Sequence, residues 1–305
     1  MKRIIFDCDP GVDDALALLL ALKSGRVELA GITTVSGNVS VDQTTKNACR
    51  LLDYAGADVP VAMGAAGPLK VPPLHGERVH GKDGLGDSPL LPPSSPRRLE
   101  RDGAVGFILG CVRSGVKTIV ATGPLTNIAL AFQRDEKTMR GLKELIIMGG
   151  AVRVAGNVDS ISEFNFYADP DAADYVLQRP GVPKVLVPLD VTHQVIMTQA
   201  RLSELGDSPT GRLAKSILQT YVRRYMDEGL RGSPLHDPLA MGYCLDETFL
   251  RLRPMFLRVE TTGTFTRGAC VPEKRAMERR RPNVSVALGV DSERFLDYFG
   301  DTISN

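Results

Sequence analysis

Tryptophan is absent from this chain of 305 residues, which excludes any site built on indole stacking. Cysteine is scarce and scattered: Cys8, Cys49, Cys111, Cys244 and Cys270, an odd count with no C-x-x-C pair. That argues against a disulfide framework or a zinc ribbon and leaves reduced thiols as the expectation. An excess of charge of either sign is missing too. Lys plus Arg is 37 and Asp plus Glu is 36, a formal net charge of +1. A dedicated nucleic-acid or acidic-membrane binder carries a basic excess, so neither partner is expected. The longest apolar run, Ala15 to Leu22, has eight residues, against roughly 18 needed to span a bilayer. The first residues, MKRIIFDCDP, hold only Ile4-Ile5-Phe6 as an apolar run, too short for a signal peptide. The expectation is a soluble cytoplasmic protein.

The remaining composition is ordinary, with 43% hydrophobic and 24% charged residues. It excludes disordered, collagen-like and coiled-coil chains. Short apolar runs predict strands at Arg3 to Asp7, Glu28 to Val35, Val59 to Gly64, Lys117 to Gly123, Glu144 to Gly150 and Lys184 to Asp190. Helical patterns fall between most of them: Asp13 to Ser24, Val41 to Tyr54, Ala104 to Arg113, Leu125 to Gln133 and Pro170 to Gln178. Nearly all-apolar strands alternating with helices indicate an α/β fold, with an open, mostly parallel sheet covered on both faces and a Rossmann-like core. The last third is less regular, with predicted helices at Leu213 to Asp227 and Ser292 to Phe299 and strands at Met255 to Gly263 and Val284 to Val290. No linker divides the chain, so residues 1–305 are read as a single domain. The Pro- and Gly-rich stretch 68–96 is long enough to read as a mobile active-site loop. Its GKDGLG follows no strand and opens no helix, so it is not a nucleotide fingerprint.

In open α/β sheets, ligands bind beyond the carboxyl ends of the strands. The segment DCDPGVDD places Asp7, Asp9, Asp13 and Asp14 at the first such end. One Asp there is usually a helix cap, but four are too many for that role. Like charges so close raise one another's pKa or need a cation, and hard oxygen donors suit Ca²⁺ or Mg²⁺. The loop GNVDSISEFN offers Asn157, Glu163 and Asn165, suited to a polyhydroxylated ligand or to plain Asx turns. His236-Asp237-Pro238, before an apolar stretch, reads as a helix start and as a source of further metal ligands. His75 and His80 lie in the long loop, where histidines are usually solvated. His193 reads as a buried, satisfied histidine.

DCDPGVDD, ITTVSGN, ATGPLTNIA, MGG…GN…EFN, LDVTHQ and HDP occur in the order found in the calcium-dependent, inosine–uridine-preferring nucleoside hydrolases, and the chain resembles that family from Ile4 to about Asp246. The resemblance implies an enzyme that hydrolyses the N-glycosidic bond of ribonucleosides to free base and ribose. It implies Ca²⁺ held by Asp9, Asp14, Asp237 and the Thr122 carbonyl, with Asp13 as general base and His236 near the leaving base. It implies substrate contacts from Asn38, Met148, Asn157, Glu163 and Asn165. Tyr221 and Tyr225 resemble the two helix tyrosines that close over the base, although their spacing to His236 is one residue short; His80, in the long loop, is a further candidate substrate contact. Ser162 stands where Ala is usual. The family's homotetramers or homodimers make a homo-oligomer the expectation. Without tryptophan, a narrow purine specificity is not expected. A pyrimidine-biased hydrolase is the runner-up. More distant alternatives are a non-catalytic nucleoside sensor and a phosphatase of haloacid-dehalogenase type, with Asp7 as nucleophile.

Overall fold

The computed structural model describes residues 1–93, 100–227, 229–273 and 280–305. Six strands form the parallel core: β1 (Lys2–Cys8), β2 (Val27–Thr34), β3 (Val61–Met63), β4 (Thr118–Ala121), β5 (Glu144–Met148) and β6 (Lys184–Val187). Their spatial order is β3-β2-β1-β4-β5-β6, continued by Val284–Val290, parallel to β6, and closed by Leu250–Met255, antiparallel at the edge. Chain order reverses between β1 and β4, which makes their carboxyl ends the topological switch point. The predicted parallel sheet is therefore observed, with its core strands close to the expected spans.

Helix α1 (Val12–Ser24) shows how the sequence builds this core. Val12 to Ala21 are all buried, because a helix apolar on every face is stable only when covered all round. It packs against helix His236–Leu245. Gly25 ends it in the left-handed conformation, φ +62°, which glycine adopts without a Cβ clash. Helix α2 (Val41–Ala55) ends the same way at Gly56, also φ +62°.

The last third departs from expectation. Instead of one strand over Met255 to Gly263, the chain changes sheets at Phe256. Leu250–Met255 is the sheet's edge, whereas Leu257–Val259 pairs with Cys270–Pro272 in a separate hairpin. Pro254 fits an edge because it has no N–H to donate to a further strand. The long loop is also more ordered than a plain coil: Glu77–His80 forms a helical turn. Positions 94–96 of that stretch lie outside the described residues. Among the described residues, no helix is long and apolar enough to cross a membrane.

Candidate functional site

A cavity of about 380 Å³ opens beyond the carboxyl ends of the central strands. Its wall includes Asp13, Asn38, Thr122, Met148, Asn157 and Glu163, then Asn165, Asp237, His236, His80, Tyr221 and Tyr225. Of the residues expected to act as base, metal ligands or substrate contacts, only Asp9 and Asp14 do not line it. Both lie under its floor, 0% and 1% exposed.

The floor is made of carboxylates. Oxygens of Asp13, Asp14 and Asp237 lie within 4.8 Å of one another. Asp13 and Asp14 stand in the first turn of α1, and Asp237 in the first turn of helix His236–Leu245. The packing of those two helices brings segments more than 200 residues apart into one cluster. Asp14 accepts from Gly11 N at 3.0 Å, Asn38 Nδ2 at 3.2 Å and Thr122 Oγ1 at 2.7 Å. Asp9 Oδ2 accepts from Asn38 N at 2.7 Å, while its Oδ1 is buried without a partner among the described residues. Two glycines make room for it. A Cβ at Gly37 would fall 2.0 Å from Asp9 Oδ2, and one at Gly123 would fall 2.7 Å from Oδ1.

Burial raises the pKa of all four acids; repulsion from neighbouring carboxylates adds to it for Asp9, Asp13 and Asp237, whereas hydrogen bonds from Gly11 and Thr122 oppose the rise at Asp14, and Asp13 reaches about 7. The strongest charged neighbours of these groups are one another, not a lysine or arginine. Ionised together without a counter-ion, they would carry a desolvation cost of the order of several kcal/mol per ion. An orphaned carboxylate oxygen inside an all-oxygen donor set fits a hard divalent cation. Asp9, Asp14 and Asp237 could hold it. The Thr122 carbonyl is already engaged by Asn165 Nδ2 at 2.6 Å, which leaves one lone pair for a metal.

Asp7 belongs to a different layer. It is 0% exposed, takes hydrogen bonds from Thr33 Oγ1 and Asn127 Nδ2, and does not line the cavity. A nucleophile cannot work from there, which removes the geometric basis of the phosphatase alternative. The signal for this role was the register that sets Asp7 beside Thr33, visible only once β1 and β2 pair.

One wall carries amide and carboxyl groups. Glu163 caps the short helix Phe164–Ala168, and its carboxylate accepts from the backbone N–H of Gly150, Asn165 and Phe166. Burial raises its pKa and those three bonds oppose the rise. Asn157 Oδ1 accepts from Phe164 N at 2.9 Å, so part of this loop is the Asx chemistry its composition also allowed. Asn165 Nδ2 reaches both the Thr122 and Met148 carbonyls.

The opposite end is aromatic. Tyr221 and Tyr225 meet edge to face with centroids 5.1 Å apart, and His80 lies 5.5 Å from Tyr221. The expectation of a solvated His80 is corrected: it is 7% exposed because its loop folds back onto the start of α1. Val12 N donates to His80 Nδ1 at 3.1 Å. A backbone N–H can only donate, so that nitrogen is bare and Nε2 carries the hydrogen. The 3.9 Å approach of His80 to Asp13 is therefore not an ion pair, in keeping with a His80 pKa pushed down to about 3 by burial and then by Arg224. His75 is exposed and meets the Gly37 carbonyl at 3.0 Å. His236 is 4% exposed; its Nδ1 meets Thr192 Oγ1 at 2.8 Å, and its Nε2 has no partner among the described residues. His193 is only partly buried, with its ring edge-on to His236 at 5.8 Å. Leu74, Gly76, Val79, Val158 and Phe164 complete the wall, and no sequence pattern marked them.

Comparison with known proteins agrees with this geometry. A model of the family "Inosine-uridine preferring nucleoside hydrolase" matches residues 4–297. The "Pyrimidine-specific ribonucleoside hydrolase RihA" of Citrobacter koseri is 35% identical, covering 99% of this chain and 97% of its own. The solved "Purine-Preferring Ribonucleoside Hydrolase from Gardnerella vaginalis" superposes with a TM-score of 0.92 at 35% identity, covering 99% of this chain and 98% of its own. The plant nucleoside hydrolase PpNRh1 also superposes at 0.92, with 33% identity and 99% of both chains covered.

Proposed function

The chain belongs to the inosine–uridine preferring nucleoside hydrolase family, and from that premise we propose that it hydrolyses ribonucleosides of the inosine and uridine type, with Asp13 as the general base. What most supports this reading is the single cavity with a carboxylate floor at one end and His80, His236, Tyr221 and Tyr225 at the other. A ribose fits the first end and a base the second.

In this mechanism the Asp13 carboxylate takes a proton from water as the water oxygen bonds to C1′. The C1′–N bond breaks and its electron pair leaves with the base. The sugar passes through an oxocarbenium-like state, whose positive charge the surrounding carboxylates stabilise. Glu163, Asn157 and Asn165 hold the ribose hydroxyls, and Met148 lines the sugar's side. Asn38 braces Asp9 and Asp14. Tyr221 and Tyr225 cover the base, and the described part of loop 68–96, through His75 and His80, closes that end. His236 Nε2 meets the departing base. The metal we propose is Ca²⁺ on Asp9, Asp14, Asp237 and the Thr122 carbonyl; when bound, it would neutralise the floor and orient water and diol.

Identity alone does not choose the base, because a pyrimidine-specific and a purine-preferring relative are both 35% identical to this chain. The absence of tryptophan favours a broad preference. The pyrimidine-biased reading is second, supported by the curated relatives of that name. A cytoplasmic homodimer or homotetramer of single-domain subunits belongs to the same proposal.

The test is release of reducing sugar from inosine and from uridine, with and without a calcium chelator, by wild type and Asp13→Ala. Ribose released by wild type and lost in the variant supports the reading. A folded, calcium-loaded wild type that releases none from either nucleoside overturns it.

A further inference from the structure

We propose that Thr192 is a positioning residue that fixes the tautomer of His236, so that Nε2 carries the hydrogen offered to the departing base. The inference deepens the hydrolase reading above and rests on it.

Hydrogen-bond accounting carries the argument. Thr192 is 0% exposed and ends the short helix Leu189–Thr192. A threonine so placed often bonds back to a carbonyl of its own helix. Among the described residues Thr192 Oγ1 has one partner instead, His236 Nδ1 at 2.8 Å. If Nδ1 carried a hydrogen, it would donate to the threonine oxygen, and the buried hydroxyl hydrogen would have no acceptor. A doubly protonated ring would strand it in the same way. A bare Nδ1 lets the hydroxyl donate and leaves only the Nε2–H unmet, on a residue that lines the cavity and can meet a ligand there; the other tautomer leaves both the Thr192 O–H, away from the cavity, and a bare Nε2 unmet, and unmet buried donors are what folded proteins avoid. The single ring hydrogen then sits on Nε2, the unpartnered atom of a residue that lines the cavity.

His80 gives an internal comparison. Its Nδ1 is held bare by the Val12 backbone N–H, a donor no side-chain substitution removes. His236 depends on a hydroxyl that one substitution does remove. As the C1′–N bond breaks, its electron pair moves onto the base, and an Nε2–H donor meets the carbonyl oxygen or bare ring nitrogen where that charge collects. An Nε2 lone pair would repel it.

The experiment combines nitrogen NMR of ¹⁵N-histidine-labelled protein with kinetics on two leaving groups. The spectrum reads which ring nitrogen of His236 is bare, with the signals assigned from the spectrum of His236→Asn. Kinetics compares inosine and uridine with 4-nitrophenyl β-D-ribofuranoside, whose phenolate leaves without a donor. In wild type we expect Nδ1 bare and Nε2 protonated. In the near-isosteric Thr192→Val we expect a mixed tautomer signal. Nucleoside kcat should fall about 10- to 100-fold, the scale on which a histidine suffers from losing its orienting partner. KM and 4-nitrophenyl riboside turnover should move by no more than about twofold. Thr192→Ser, which keeps the hydroxyl, should restore both the spectrum and nucleoside turnover. A wild-type His236 with its hydrogen on Nδ1 overturns the inference. So does a Thr192→Val that slows both substrate classes equally. A wild type that cleaves neither nucleosides nor the aryl riboside overturns the hydrolase reading, and the spectrum still decides the tautomer.

Discussion

The two ends of the cavity are built differently. The carboxylate floor hangs on strand ends and helix starts, and much of its polar surface is tied to backbone: Asp9 to Asn38 N, Asp14 to Gly11 N, and Glu163 to three N–H groups. The aromatic end comes from the long loop, from helix Pro209–Asp227 and from His236 at the start of the helix that also carries Asp237. Ring contacts dominate there, and His236 Nε2 has no partner among the described residues. The floor has little freedom to change without losing its bonds. The aromatic end can vary at lower cost, which fits a family whose members differ in base. Relatives equally similar to this chain and named for opposite bases are what that division leads one to expect.

The sharpest test of the division is Asp13→Ala. Removing a general base costs about 10²- to 10⁴-fold in rate, so kcat should fall by that much for inosine and uridine alike. A loss confined to one nucleoside would break the comparison, because it would give the floor a role in base choice.

Next comes the cation. Asp9→Asn keeps the shape of the floor and removes one charge, and an effect of about 10- to 100-fold on calcium affinity is expected. Calorimetric titration of calcium into wild type and variant measures it. Unchanged affinity would remove Asp9 from the ligand set.

Gly37→Ala tests the floor's rigidity. Its Cβ would fall 2.0 Å from Asp9 Oδ2, and overpacking costs about 1–3 kcal/mol. Thermal unfolding of the chelated protein should register the loss. An unchanged Tm would mean the floor yields more easily than its hydrogen bonds imply.

The pH dependence of stability follows from the raised acids. A carboxyl whose folded pKa exceeds its unfolded value contributes stability at low pH and loses it as pH rises through the folded value. Asp13 is raised to about 7, and Asp9, Asp14 and Asp237 are raised with it. Chelated protein should lose their contribution as pH climbs towards those raised values. The Tm gap between calcium-loaded and chelated protein should therefore widen from about pH 4 to about pH 7. A gap that narrows would show that the floor is not the source.

The smallest effect is expected at the aromatic end. Tyr225→Phe removes one hydroxyl from a partly buried ring, and a single hydrogen bond contributes about 0.5–1.5 kcal/mol. The ratio of inosine to uridine kcat/KM should shift by about two- to tenfold, with kcat on the aryl riboside unchanged. A loss as large as that of Asp13→Ala would erase the distinction between the ends.

Much of this was legible beforehand because parallel strands and their covering helices are written in local pattern. Ala15 to Leu22 could only be a buried helix, and DCDPGVDD could only crowd carboxylates at a strand end. The edge region was less legible. A run from Met255 to Gly263 looks like one strand, and nothing local says that the chain leaves one sheet for another at Phe256. His80 is hard to read for a similar reason: loop position suggests solvent, whereas the fold of its loop onto the start of α1 buries it.

The sequence by itself determined the α/β class, the family and the kinds of side chain available to the chemistry, because periodicity and short-range motifs are local properties. Tertiary structure decided which of those side chains meet. It brought Asp237 to Asp13 and Asp14 through the packing of α1 against helix His236–Leu245. It separated Asp7 from its neighbouring aspartates by turning it towards Thr33 and Asn127. It set Thr192 against His236, 44 residues away. Burial and hydrogen-bond satisfaction are properties of the assembled neighbourhood, so the state of each acid and imidazole is written only where distant segments come together.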